Sequence, residues 1–305
     1  MKRTIARLVG GALLAAGVAL TLTAPANAAD AAVDVAAPSA AQLSAAQAKL
    51  DSAASSRPSN VTGWYVDQSS KSLVVEVHGA DAGVAKWAAK HGATDIQVRK
   101  VAQAPQPYWS LIGGQAITTT SGSRCSLGFN ARIGSSRYVI TAGHCTDLGG
   151  TWSGTGGTIG GVAASSFPGD DYGVIAVQSS SAQSTPLVDR YSSGGDVTVT
   201  GAANASTGMA VCRSGSTTGW YCGSVTGTNT TVCYQQGCIY QMIRTNVCAE
   251  PGDSGGSLVT RPSGSTVRAL GMTSGGSGNC RTGGTTYYQP VTEVLNRYGM
   301  TLYTG

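Results

Sequence analysis

Three short segments carry residues that together could do chemistry. The first is Gly252-Asp253-Ser254-Gly255-Gly256. A serine hydroxyl is a weak nucleophile until a base takes its proton and donors receive the oxyanion it creates. Glycines around Ser254 let the backbone bend until the Gly252 and Ser254 N–H groups converge, a candidate oxyanion hole. Alone, this could be a polar turn in a glycine-rich chain. The second segment, Thr141-Ala142-Gly143-His144-Cys145, supplies the missing base: beyond His91 it holds the only imidazole, so a near-neutral general base must be His144. The third, Phe167-Pro168-Gly169-Asp170-Asp171-Tyr172-Gly173-Val174, offers a carboxylate to fix the imidazole tautomer and stabilise its cation. Asp171 opens an apolar run and is expected at the start of a buried strand. Asp170 is expected to be a solvated loop acid.

These segments need a scaffold, and its composition is distinctive. Of the 43 glycines, 36 lie beyond residue 111. They punctuate short β-branched runs at Arg137–Thr141, Gly173–Val177, Val197–Thr200, Ser257–Thr260 and Ala269–Met272. This pattern predicts an all-β sandwich or barrel, closed by a short helix over Val291–Tyr298. Residues 29–111 differ: they hold no cysteine and read as a small α+β unit. A hairpin is expected from Gly63–Val66 and Ser72–Val77, an amphipathic helix over Asp81–Lys90 and a strand over Thr94–Val101. Ala31–Ser59 is Ala-, Ser- and Gln-rich and partly helical, and Ala102–Pro107 is an extended linker. Residues 1–28 read as a secretory signal peptide, with Lys2, Arg3 and Arg7, an apolar stretch from Leu8 to Leu22, and Ala26-Asn27-Ala28 as the cleavage pattern. Fifteen apolar residues fall short of the roughly 20 that span a bilayer.

Composition excludes other classes. The chain has 305 residues and a net charge of +5, but only 11% charged residues. Three of those positive charges lie in the leader, the middle segment is neutral and the C-terminal segment carries +2. No basic stripe for nucleic acid is visible, and aromatics are too sparse for a stacking platform. A polybasic membrane surface is absent too. All eight cysteines lie beyond residue 111, without a C-x-x-C pair, and read as disulfides in an exported protein. Metal ligation is not favoured, since only His78, His91 and His144 could join the cysteines. No metal and no organic cofactor is expected.

The order His, Asp, Ser, with these flanking residues, resembles the chymotrypsin fold of serine endopeptidases. Three further stretches narrow the resemblance: Cys125-Ser126-Leu127-Gly128-Phe129-Asn130, Arg244 through Gly256, and Thr273-Ser274-Gly275-Gly276-Ser277-Gly278-Asn279-Cys280. They are similar to the bacterial streptogrisin and α-lytic protease group, as is Tyr287-Tyr288-Gln289-Pro290-Val291-Thr292-Glu293. The resemblance spans the chain beyond residue 111 and extends more loosely to the upstream unit. It implies two antiparallel Greek-key barrels, with residues 29–111 as a pro-region that assists folding and then inhibits the product. It implies bridges Cys125–Cys145, Cys212–Cys222 and Cys248–Cys280. Cys233 and Cys238 fit no usual streptogrisin pairing; a bridge between them is the simplest arrangement.

The resemblance also implies a specificity pocket. The position where trypsin-like relatives carry an aspartate is Cys248. Ser274, Gly275 and Gly276 form one wall, and Ala249 and Glu250 the other. Small, uncharged walls suit large apolar or aromatic side chains. Glutamate-selective relatives carry a histidine where this chain has Thr273. Asp253 is expected to pair with a buried Arg213, so that activation needs removal of the pro-region and not insertion of a new N-terminus. The pro-region is expected to end at Leu111, which suits the pocket, with Ser110 and Trp109 as alternatives, leaving a peptidase domain over 112–305. A catalytically silent binding protein would lose a triad member, and an esterase would show a G-x-S-x-G elbow on an α/β pattern. The expectation is a secreted, monomeric endopeptidase acting on proteins or peptides, with neither nucleic acid nor membrane as a partner.

Overall fold

The computed structural model describes residues 37–147 and 149–305. The signal-peptide reading of residues 1–28 lies outside the described residues. The chain divides into two compact units between Ala104 and Pro105.

The first unit is a three-stranded sheet with two helices. Helix Ala40–Ser52 starts at Ser39, whose hydroxyl accepts from the Gln42 N–H while Gln42 Oε1 accepts from the Ser39 N–H. This reciprocal capping satisfies two donors the helix leaves open. Val61–Asp67 and Ser72–His78 form the expected hairpin, and Ile96–Val101 pairs in parallel with Ser72–His78. The intervening helix is Val84–Lys90, shorter than expected because Gly83 precedes it with φ 79°, outside helical space. Leu50, Leu73, Val75, Val77 and Val84 form its core.

The second unit is all-β apart from two short helices and a 3-10 turn, arranged in two curled sheets. The first runs in the order Thr301–Leu302, Phe129–Ile133, Ser136–Thr141, Tyr172–Ala176, Gly157–Ser166, Thr151–Gly154, Ala116–Thr119 and Arg124–Ser126. All its pairings are antiparallel, and Leu127, Val139, Trp152, Ile159 and Ile175 fill it. In the second, Ser257–Thr260, Ala210–Gly215, Gly219–Tyr234, Gly237–Thr245, Gly283–Pro290 and Thr266–Asn279 follow one another. Ser257–Thr260 pairs back onto Thr266–Asn279, so these six strands close into an antiparallel ring.

Two pairings depart from an antiparallel scheme. Val197–Ala202 adds to Thr266–Asn279 in parallel, and Trp109–Gly113 adds in parallel to Ala182–Val188. The last strand straddles residues 111 and 112, where the pro-region was expected to end. The helix Val291–Tyr298 has the expected bounds and buries Val291 and Val294. Burying each such side chain contributes about 1.5–3 kcal/mol. Among the described residues no helix is long and apolar enough to cross a membrane. Disulfides join Cys125–Cys145, Cys212–Cys222, Cys233–Cys238 and Cys248–Cys280.

Candidate active site

His144 and Asp171 both come from the first sheet. Strand Ser136–Thr141 delivers the chain to a single helical turn, Gly143–Thr146, tied to strand Arg124–Ser126 through Cys125–Cys145. Gly143 is required there: a Cβ would sit 2.0 Å from the Ser166 carbonyl oxygen. Asp171 immediately precedes strand Tyr172–Ala176, which pairs with Ser136–Thr141. The pairing brings the two side chains together. His144 Nδ1 lies 2.9 and 3.1 Å from the two Asp171 oxygens, and the His144 backbone N–H donates to Asp171 Oδ1 at 2.9 Å. Asp171 is fully buried, whereas the imidazole is 28% exposed. A carboxylate so placed holds a proton on Nδ1 and leaves Nε2 to accept one.

Gln289 supports this pair, a role local sequence did not reveal. Its Oε1 accepts the Asp171 N–H at 2.7 Å, and its Nε2 donates to Glu293 Oε2 at 2.6 Å. Burial, then the nearby Asp170 charge, push the Glu293 carboxyl above its ordinary range. Asp170 is half-buried and accepts from the Ser166 hydroxyl at 3.4 Å, so it is less solvated than the sequence suggested.

Ser254 sits in the turn that leads into strand Ser257–Thr260. The turn is folded by Asp253 N–H to Glu250 O and Gly256 N–H to Asp253 O, both 3.0 Å. Gly255 has φ 82°, and a Cβ there would meet Thr141 Oγ1 at 1.9 Å. The Gly252 carbonyl accepts from the Ser126 and Ser216 hydroxyls at 2.8 and 3.0 Å. Among the described residues, no protein acceptor takes the Gly252 or Ser254 N–H. Two such donors in one turn can receive an anionic oxygen.

Beneath the turn Asp253 and Arg213 are both fully buried, with Arg213 Nη1 3.3 Å from Asp253 Oδ2. Four more donors reach the carboxylate: the N–H groups of Thr217, Thr218 and Glu250 at 2.9, 3.1 and 2.9 Å, and the Thr218 hydroxyl at 2.6 Å. Arg213 also donates to Cys248 O, Gly219 O and Thr218 Oγ1. A buried charge pair needs this degree of satisfaction.

Two hollows flank the site. One of about 460 Å³ is lined by Ser254, Thr273 and every expected wall residue: Ala249, Glu250, Ser274, Gly275 and Gly276. Pro251, Ser277 and Gly278 complete it and had not been expected. Its charged group, Glu250, is turned toward the disulfide by the Cys280 N–H, 3.0 Å from Oε1. The other, about 190 Å³, is lined by His144, Phe167, Tyr234, Gln236, Ser274 and Gly275. The two share Ser274 and Gly275, which sets Ser254 and His144 on adjoining hollows. Tyr234 is held by its hydroxyl, 3.2 Å from Ser274 Oγ, and burial pushes its phenol up to about 12. Cys233 and Cys238 bridge the hairpin tip that carries it. That bridge, flanking an aromatic, was the available clue to Tyr234.

Comparison with known proteins accords with this geometry. Residues 39–95 match the alpha-lytic protease prodomain family, and residues 112–297 match the trypsin family. The chain is 48% identical to Streptogrisin-A of Streptomyces griseus over 246 residues, 79% of this chain and 78% of that protein. It is 44% identical to Glutamyl endopeptidase 2 of the same organism over 195 residues, 63% of this chain and all of that protein. The crystal structure of Cellulomonas bogoriensis chymotrypsin covers 65% of this chain and all of its own, with 48% identity and a TM-score of 0.57. A serine turn with two open N–H donors, a histidine on a buried aspartate and a prodomain match thus fall on one chain, which belongs to the streptogrisin-like, chymotrypsin-fold branch of the trypsin family and is a serine endopeptidase preceded by a prodomain.

Proposed function

We propose that the enzyme hydrolyses polypeptides through Ser254, His144 and Asp171, with a preference for large apolar or aromatic side chains on the acyl side of the cut. Ser254 Oγ attacks the scissile carbonyl carbon. His144 Nε2 takes the hydroxyl proton and returns it to the departing amine. Asp171 orients the imidazole and stabilises its cation, and the Gly252 and Ser254 N–H groups bind the oxyanion. Water then repeats the sequence on the acyl-enzyme.

The observation that carries the reading is the buried Asp171 carboxylate, with both oxygens on His144 Nδ1, beside a serine turn whose two N–H groups lack a protein acceptor. The preference rests on the 460 Å³ hollow and its walls. Glu250 lines that hollow and opposes an acidic substrate side chain, and Thr273 stands where the resemblance gives glutamate-selective relatives a histidine. The relatives' names span more than one specificity, so the pocket and not the family decides. The chain is further proposed to be an exported precursor that works as a monomer, the upstream unit serving as folding aid and inhibitor. The test is digestion of a mixed protein substrate with cut-site mapping: cuts clustered after Phe, Tyr, Leu and Met are expected. Cuts clustered after Glu or after Lys and Arg would overturn the preference.

A further inference from the structure

Strand Trp109–Gly113 runs across the expected end of the pro-region, yet it is held within the second unit. Trp109, Ser110 and Leu111 pair with Ala182, Gln183 and Ser184, and the Trp109 N–H donates to Ser181 O at 3.0 Å. The Trp109 ring lies against Gly154 and Gly156, where an added Cβ would come within 2.8 and 2.2 Å of its side chain. Leu111 is 2% exposed, in one cluster with Ile117, Leu127 and Trp152. Its carbonyl accepts from Asn130 Nδ2 at 2.9 Å and Thr185 Oγ1 at 2.6 Å.

A cut after Leu111 requires Leu111 to leave this core and fill the specificity pocket. It then removes a core side chain, an indole and the acceptor of two donors. It also creates an ammonium at Ile112 that Asp253, already holding Arg213 and four other donors, does not need. Immediately upstream the situation reverses. Residues 105–108 have no regular structure and are exposed, and Tyr108, at 79%, is the most exposed large apolar side chain among the described residues. An aromatic ring already in solvent can enter an apolar pocket without first leaving a core.

From this juxtaposition we infer that the processing bond is Tyr108–Trp109, cut by the enzyme itself, so that the mature peptidase begins at Trp109 and keeps the strand whole. The inference rests on the triad and pocket proposed above. Ser254 Oγ adds to the Tyr108 carbonyl carbon and its proton passes to His144. The C–N bond to Trp109 breaks, and the imidazolium protonates the departing nitrogen. One water then hydrolyses the Tyr108 ester, leaving a Tyr108 carboxylate and restoring Ser254; no other reactant is consumed.

The test follows the first cleavage product of the full chain in a cell-free translation, by intact mass and N-terminal sequencing. Wild type should yield Trp109 as the new N-terminus, and Ser254→Ala should stay uncut until active enzyme is added. Tyr108→Asp, in an exposed linker, should slow that cut at least tenfold, while the enzyme eventually released keeps its kcat/KM on a peptide. A first product starting at Ser110, Leu111 or Ile112 would overturn the position. The same cut in Ser254→Ala alone, or an unchanged rate in Tyr108→Asp, would overturn self-processing through the pocket. The cut-site map on an unrelated protein is read separately: if it fails while Trp109 is still the first residue, the specificity reading is at fault and not the domain start.

Discussion

Arg213→Ala, introduced in the full chain on a Ser254→Ala background to prevent autolysis, should strand the Asp253 carboxylate in the interior. Both side chains are fully buried. Removing one member of a buried pair costs about 3–5 kcal/mol, mostly from the charge left behind. Asp253 keeps its four other donors, which argues for the lower end, about 3 kcal/mol. The guanidinium also leaves Cys248 O and Gly219 O without their donor, which keeps the figure from falling further. At about 2–4 °C per kcal/mol for a unit of this size, the thermal midpoint of the second unit within that uncut chain should drop by roughly 6–12 °C. Urea unfolding should show the same loss as a lower midpoint with an unchanged slope. With Ser254 restored, kcat/KM should fall at least about tenfold, because the Gly252–Ser254 donors sit on the loop that Asp253 anchors. Adding Asp253→Asn should recover part of the stability by removing the stranded charge. A single variant whose midpoint and kcat/KM match wild type would show that Arg213 does not hold Asp253, as would a structure of the processed enzyme with the new N-terminal amine on Asp253.

Asp171→Asn should leave the fold in place but lower kcat by about 10⁴-fold, since the amide no longer enforces the productive tautomer; steady-state kinetics read this directly. Cys233→Ser with Cys238→Ser should cost about 2 kcal/mol by the loop-closure estimate for so short a loop. It should also raise KM more than it lowers kcat, because the bridge holds the hairpin tip carrying Tyr234; equal kinetics for the two forms would contradict that role. Glu293→Gln should stabilise at neutral pH by a few tenths of a kcal/mol, since this half-buried carboxyl titrates high beside Asp170. A raised carboxyl pKa means stability is lost as pH rises through it, so the gain should vanish in acid, where both forms are neutral. Thermal midpoints measured across pH would show a gain of constant size if the argument is wrong.

The elements nearest the chemistry were legible because their signals are local. Ser257–Thr260 and Val291–Tyr298 have the bounds that β-branched residues and helical spacing indicated. Strand Gly219–Tyr234 gives no strand signal in the sequence, and Thr266–Asn279 gives one only over Ala269–Met272, because their Gly, Thr and Ser residues resemble turns. In the sheet they fall at register shifts, between Gly227 and Thr230 and between Thr273 and Gly275, where the ladder bends without ending. Trp109–Gly113 went unread as a strand because it follows a proline linker and pairs with residues some seventy positions away. The same distance hid Gln289: a glutamine near the C-terminus gives no local sign that it receives the Asp171 N–H, 118 residues upstream. Phe167 and Tyr234 were passed over for a similar reason, since the hollow they line exists only where the two sheets' loops meet.

The mechanism rests on Ser254 as the nucleophile and on His144 as the base that makes it one. It is tested most directly by reacting the processed enzyme with a fluorophosphonate, digesting it and locating the adduct by mass spectrometry. One adduct is expected, on the peptide containing Ser254, absent in Ser254→Ala and formed at least a thousandfold more slowly in His144→Ala, in line with the loss when a triad member is removed. An adduct on another residue, or labelling of Ser254 at the same rate without His144, would rule this mechanism out.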